Sequence, residues 1–275
     1  MSSNSINSNY NVLVALQGLD RTTTDLTSTQ ARVSTGKEIA APSDNASVWA
    51  IAESQRNTAG RLDSVKLSLQ RTQSTLDVGI SAGQTVSDLL NQVRAKVLSG
   101  TDTSLNTTSR AALSDGVQSL IQQIVRTVAS ADFNGASLVN TNAAPLSTLT
   151  DSDASLMTVQ PASLVVGGAN IQFTAGASFA TATDATNLLA LLDASIPKVN
   201  QAVSLLGASS NAIASHLSFV STFQDTLTQN VGALVDADIA KESAALTALQ
   251  VKQQLGVQTL GIANSSRDAL LSLFR

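Results

Sequence analysis

Cysteine is absent from the 275 residues, which excludes disulfide frameworks, thiolate metal sites and cysteine nucleophiles. Histidine occurs once, which removes most metal centres and most general-base schemes. Aromatic residues are 3% and charged residues 13%, yet hydrophobic residues reach 43%. The apolar content is therefore mostly Ala, Leu and Val, set among Ser, Thr, Asn and Gln. Such a composition suits long helices that pack closely through small side chains, and does not suit a disordered chain. The net charge is only −4 and Lys and Arg are scattered, so nucleic acid is not an expected partner. No run approaches the roughly 18 consecutive apolar residues that span a bilayer, so no membrane span is expected. The first basic residue is Arg21, and Val12-Leu13-Val14-Ala15-Leu16 is too short for the apolar core of a signal peptide. Export, where it occurs, is expected without a cleaved secretory signal.

Proline is also scarce, and its four positions divide the chain. Pro42 stands alone near one end, while Pro145, Pro161 and Pro197 lie in or beside the middle. Between Ser43 and Ala144, and from Lys198 to Arg275, no proline interrupts a helix. Lys and Arg are missing from Thr127 to Pro197. The stretch from about Asn134 to Asp184 therefore reads as an inserted, non-helical element between two helical halves.

Within the halves, Leu62, Val65, Leu69, Thr72, Leu76, Gly79, Gly83, Val86, Leu90, Val93 and Val97 recur with 3-4 spacing. The register extends back through Thr58, Gln55, Ile51 and Val48. A second seam runs Leu189, Leu192, Ile196, Val199, Val203, Leu206, Ser210, Ile213, Leu217, Val220, Gln224, Leu227, Val231 and Leu234. Sustained 3.5-residue periodicity predicts coiled-coil packing. At about 1.5 Å per residue each seam would be roughly 70 Å long, so two rods side by side are expected. Gly79 and Gly83 each weaken their helix by about 1 kcal/mol relative to Ala. Either they permit a close helix crossing, or Ile80 replaces Gly79 in the seam. A shorter helix carries Leu113, Val117, Leu120 and Ile124, and ends at Phe133-Asn134-Gly135, a tight-turn signal. Leu156–Val159, Ser163–Val166 and Asn170–Phe173, with Gly167-Gly168 between the last two, read as short strands joined by hairpin turns. The fold class expected is mainly α, with long antiparallel coiled-coil rods from both halves and a small β-hairpin-rich insert.

The two ends differ again. Val12, Leu19, Leu26 and Val33 step by sevens, and Ile239, Leu246, Leu249, Leu260, Leu270 and Phe274 share one face. Gly36 and Pro42 separate one end from the rods, and Asp236-Ala237-Asp238 separates the other. A single amphipathic helix is marginal in water, so the ends are expected to pack on each other and on other molecules.

Chemistry-bearing residues are few. His216 flanks the seam without a second His or a Cys and reads as a surface or packing side chain. Asp236 with Asp238, and Asp151 with Asp153, lack the further hard ligands a cation needs; the first pair suits the start of a helix at Ile239. Gly167-Gly168 lacks the Lys of a phosphate loop. No arrangement of Ser, His and Asp suggests a nucleophile. No catalysis, cofactor or metal is expected.

At both ends these residues resemble bacterial flagellin. The N-terminal pattern reads Gln30-Ala31-Arg32-Val33-Ser34-Thr35-Gly36-Lys37-Glu38-Ile39, then Pro42-Ser43-Asp44-Asn45-Ala46, and later Phe133-Asn134-Gly135. The C-terminal pattern reads Leu205-Leu206-Gly207-Ala208, Val235-Asp236-Ala237-Asp238-Ile239-Ala240-Lys241-Glu242, Gly261-Ile262-Ala263-Asn264 and Leu271-Ser272-Leu273-Phe274-Arg275. The resemblance covers about residues 1–140 and 185–275. Trp49 departs from the commonest form, and with the short middle it resembles the compact Caulobacter-type α-proteobacterial flagellins.

The resemblance implies a filament subunit that is exported unfolded through a type III apparatus and polymerises into a helical tube for swimming. Residues 1–38 with 236–275 would line the inner tube, 39–133 with 185–235 would form the rod, and 134–184 would face solvent. Implied partners are further copies of the chain, an export chaperone, and hook-associated and cap proteins. The hook–filament junction protein is the alternative within the flagellum. A chemoreceptor-like hairpin is the alternative outside it, but such a hairpin turns tightly at its midpoint and connects to a membrane span. The resemblance also points to the stretch that a flagellin-sensing Toll-like receptor reads in enteric flagellins as Leu-Gln-Arg-Val-Arg-Glu-Leu-Ala-Val. Here it is Leu90-Asn91-Gln92-Val93-Arg94-Ala95-Lys96-Val97-Leu98, with Gln92 and Lys96 replacing Arg and Leu outside the seam.

Overall fold

A computed structural model describes residues 10–272, with side chains described except at residue 11 and residues 266–272. The elements in chain order are α1 (Tyr10–Thr35), α2 (Ala46–Gly100), α3 (Thr107–Ala129), β1 (Leu146–Leu149), β2 (Leu156–Val159), α4 (Ala182–Val235) and α5 (Ile239–Ser272). They form two compact units, Met1–Asn57 with Thr226–Arg275, and Thr58–Asp225.

The Thr58–Asp225 unit is built on α2 and α4. Polar pairs between them run in opposite order along the two helices: Lys66 with Gln224 at 3.2 Å, Gln73 with Ser210 at 2.7 Å, Ser87 with Asn200 at 2.8 Å and Arg94 with Asp193 at 2.6 Å. The helices are therefore antiparallel. Leu62, Val65, Leu69, Leu76, Val86, Leu90, Val93 and Val97 are buried on α2; Leu192, Val199, Leu206, Ile213 and Val220 are buried on α4. Burying one such side chain contributes about 1.5–3 kcal/mol, which makes the double seam the main source of stability. Gly83 serves a close crossing: a Cβ built there would lie 2.5 Å from Val203 Cγ2. Gly79 is buried too, with Leu206 Cδ1 at 3.5 Å from the same construction, and Ile80 does not take its place.

Caps fix the ends of the elements. Asn106 starts α3 by accepting from the Ser109 amide, and Thr181 and Asp184 exchange hydrogen bonds at the start of α4. The buried Arg110 donates to the carbonyls of Gly100 and Asp102, closing the turn after α2. Asn134 and Gly135 both have positive φ, and Phe133 and Ala136 exchange backbone hydrogen bonds, so this is a two-residue hairpin turn.

The insert differs from its sequence-based reading. Leu156–Val159 is a strand, but it pairs antiparallel with Leu146–Leu149, which the pattern did not single out. Ser163–Val166 and Asn170–Phe173 do not form a hairpin; Val166 and Ile171 meet in one isolated parallel bridge. The amides of Ala162 and Leu164 donate instead to Leu138 and Val139, while Leu164, Ile171 and Phe173 are buried as core side chains. Pro197 also departs from expectation, lying inside α4 rather than at its edge. Its cost of about 3 kcal/mol in a helix interior is offset by the buried Leu192, Ser195 and Val199 around it.

The other unit pairs α1 with α5. Arg32 meets Glu242 at 3.6 Å, and Leu19 Cδ1 lies 3.1 Å from a Cβ built on Gly256, so these helices are also antiparallel. Ala52, Val231 and Val235 make a small core with Ile39 against it. Gly36, at φ +70°, ends α1, and its carbonyl accepts from Ala237; the Glu38 amide donates to Val235. Asp44 accepts from the amides of Ala40 and Ala41, each at 2.9 Å.

Candidate assembly site

The arrangement of α1 and α5 follows from their composition. Each is an amphipathic helix, and a pair of helices buries only the stripe between them. Val12, Leu19, Leu26 and Val33 on α1 are half-buried, as are Leu246, Leu249 and Leu260 on α5; Ile239 is exposed. Leu270 lies in α5 but its side chain is outside the described ones, and Phe274 lies outside the described residues. The fully buried side chains of α1 are the threonines Thr22 and Thr29.

A second set of apolar residues on these helices faces solvent. Tyr10, Leu13, Val14 and Leu16 on α1, and Val251, Leu255, Val257 and Ile262 on α5, are 44–72% exposed. Sequence reasoning traced one stripe per helix and missed this set, although the run Val12–Leu16 carried the signal. Charge on α1 is sparse, and its hydroxyls are internally satisfied. Thr22, Thr23, Thr24, Thr27 and Thr35 each donate to the carbonyl four residues earlier at 2.9 Å. Such a surface is covered at little desolvation cost.

The start of α5 is held by Asp238, whose carboxylate accepts from the Lys241 amide at 3.1 Å. Asp236 pairs through its backbone with Lys37. Asp151 accepts from the amides of Asp153 and Ser155 in the turn between β1 and β2, so it organises that loop. Among the described residues, no three His, Asp or Glu side chains gather as a metal site. Backbone donors hold the carboxyls of Asp44, Asp102, Asp151 and Asp184 below their ordinary range, helped at Asp151 and Asp184 by hydroxyls.

The rod residues named from the sequence lie as follows. Leu62, Val65, Leu69, Leu76, Leu90, Val93, Leu206, Ile213 and Val220 are buried, and Leu217 is half-buried. Toward the start of α4 the buried position is Leu188 rather than Leu189. Gln92 and Lys96 are exposed, and the Lys96 stem passes within 3.6 Å of a Cβ built on Gly116 of α3. His216 Nε2 donates to the Thr150 carbonyl at 2.7 Å, a role that its sequence neighbours did not signal. No helix among the described residues is long and apolar enough to cross a membrane.

Comparison with known proteins agrees with this layout. The family model described as the bacterial flagellin N-terminal helical region matches residues 6–144, and that of the C-terminal helical region matches residues 189–274. Flagellin FljM and flagellin FljO of Caulobacter vibrioides are each 46% identical over the whole of both chains. A flagellin of Brucella melitensis is 34% identical over 98% of this chain and 99% of its own. The chain belongs to the bacterial flagellin family, and is of the Caulobacter type.

Proposed function

We propose that α1 and α5 are the polymerising element of this flagellin, with residues 1–38 and 236–275 as inner-tube helices, 39–133 and 185–235 as the rod, and 134–184 as the surface-facing insert. As a flagellin the chain is a structural protein, the extracellular subunit of the bacterial flagellar filament used for motility, and it self-polymerises. The observation that carries the assignment is the exposed second apolar set on two helices that pair with each other. Eight side chains, roughly half-exposed, would release of the order of 5–10 kcal/mol per subunit when covered, before ordering costs. The small residues Ala240, Ala244, Ala245 and Ala248 on α5 allow helices to approach closely.

An export chaperone and the hook-associated and cap proteins are proposed partners, because each must meet these same apolar ends before or after assembly. No catalytic role is proposed. Full-length relatives named as flagellins favour a filament subunit over the hook–filament junction protein. Electron microscopy of purified, polymerised protein tests the reading. Long tubes are expected from the full chain, and Leu13→Asp or Leu255→Asp should leave soluble subunits. Normal tubes from both variants would refute the assignment to α1 and α5.

A further inference from the structure

The helix α4 carries two apolar seams, and the Thr58–Asp225 unit uses only one. The first contains Leu206, Ile213 and Val220, which are buried. The second is made of Leu205, Ala208, Ala212, Ser215, Phe219 and Phe223, all exposed. At about 100° per residue these six fall within one strip of the helix surface, well away from the buried seam. Their spacing of 3, 4, 3, 4 and 4 is that of a helix-packing stripe. Residues 199–224 contain no charged side chain, so the strip has none of the Lys or Glu that ordinarily marks a solvated helix face.

The aromatic end of the strip is preorganised. Phe219 and Phe223 stack with ring planes 7° apart and centroids at 6.0 Å, and are 61% and 40% exposed. His216 packs on Phe219 at 5.9 Å and is itself fixed by the Thr150 carbonyl. Two rings held in place lose little entropy when covered, which is the property of an interface anchor. The exposed area points to what covers it. The chain exposes 15961 Å² at a mass of 28.3 kDa, where surface–mass scaling gives about 11,000 Å² for a folded monomer. The excess of about 5,000 Å² is the scale of a permanent interface, not of a transient one. In a homopolymer the partner present at every site is another copy, and a non-closing polymer joins unlike faces.

We propose that the strip Leu205–Phe223 seats a helix of a second copy of this chain, forming a rod-to-rod contact separate from the α1–α5 surfaces. This rests on the filament reading above and adds a second interface to it. The absence of cysteine supplies the test. Ser215→Cys is isosteric and gives a unique exposed thiol on the strip, Ala212→Cys a second one, and Thr141→Cys a reference in the insert. Maleimide labelling rates are compared between depolymerised subunits and filaments of the full chain. The strip thiols should react about tenfold or more slowly in the filament, while the reference changes little. Equal rates at the strip in both states would overturn the proposal and leave the filament reading intact; absence of filaments from the parent chain would overturn both. In a second arm, Phe219→Lys with Phe223→Lys should keep the subunit's circular dichroism and raise the critical concentration for polymerisation about tenfold. A folded double variant that polymerises like the parent would also overturn it.

Discussion

Gly83→Ala gives a sharp test of how closely α2 and α4 cross. In a helix interior, Ala is favoured over Gly by about 1 kcal/mol, so the substitution should stabilise wherever there is room. At Gly207 on α4 there is room: a Cβ meets nothing within 4 Å. At Gly83 the added atom would lie 2.5 Å from Val203 Cγ2 and 3.4 Å from Leu164 Cδ1, so packed core atoms must shift. Overpacking of this kind costs about 1–3 kcal/mol. After the helix gain is subtracted, Gly83→Ala should be neutral to about 2 kcal/mol destabilising, against about 1 kcal/mol stabilising for Gly207→Ala. For a domain of this size the two variants should differ in Tm by roughly 2–12 °C. Circular dichroism melts of depolymerised subunits measure this. Adding Val203→Ala should recover part of the loss, since it removes the obstructing methyls. If Gly83→Ala raises Tm as much as Gly207→Ala, or Val203→Ala gives no coupling, the close crossing is wrong.

Other consequences follow from the same geometry. Leu90→Asp places a carboxylate at a position with no exposure and should cost several kcal/mol, while Leu217→Asp, at a half-buried position, should cost visibly less in the same melts. The carboxyls of Asp44, Asp102, Asp151 and Asp184 titrate below the ordinary 3.8 in the folded chain, because amides and hydroxyls donate to their ionised forms. Their contribution is therefore complete above that value and is lost as pH falls through the depressed folded values; urea midpoints measured from pH 6 downward should drop in that window, and should drop less for Asp44→Asn with Asp184→Asn. With Gln92 and Lys96 exposed where enteric flagellins carry Arg and Leu, depolymerised subunits should activate the flagellin-sensing Toll-like receptor weakly in a reporter assay; Gln92→Arg with Lys96→Leu should strengthen the response.

The rod was legible because its energetics are periodic. A 3-4 repeat of Leu and Val over α2 states its own partner geometry, and Leu62, Leu76, Leu90 and Val97 are buried as that repeat requires. The repeat could not say which side of α4 is used at its start, where Leu188 and Leu189 are equally apolar and packing decides for Leu188. The insert was harder because short apolar runs look alike as strand or as core loop. Leu164 and Ile171 are buried, but their segment spends its amides on Leu138 and Val139, a long-range choice that no local pattern records. Arg110 and His216 escaped for the same reason: their carbonyl partners are at Gly100, Asp102 and Thr150, invisible in a residue string. At the assembly site, the single stripe through Val12 and Leu19 was visible, but the exposed Leu13, Leu16, Val251 and Leu255 become meaningful only once α1 and α5 are seen to pair.

The most direct measurement of assembly through the chain ends is amide hydrogen exchange, read segment by segment in depolymerised subunits and in filaments. If α1 and α5 complete their apolar burial only against other copies, residues 10–35 and 239–265 should gain protection on polymerisation by about a hundredfold or more, while the buried seams around Leu69 and Leu206 change little. Equal protection of the two terminal helices in both states, with filaments present, would contradict that claim.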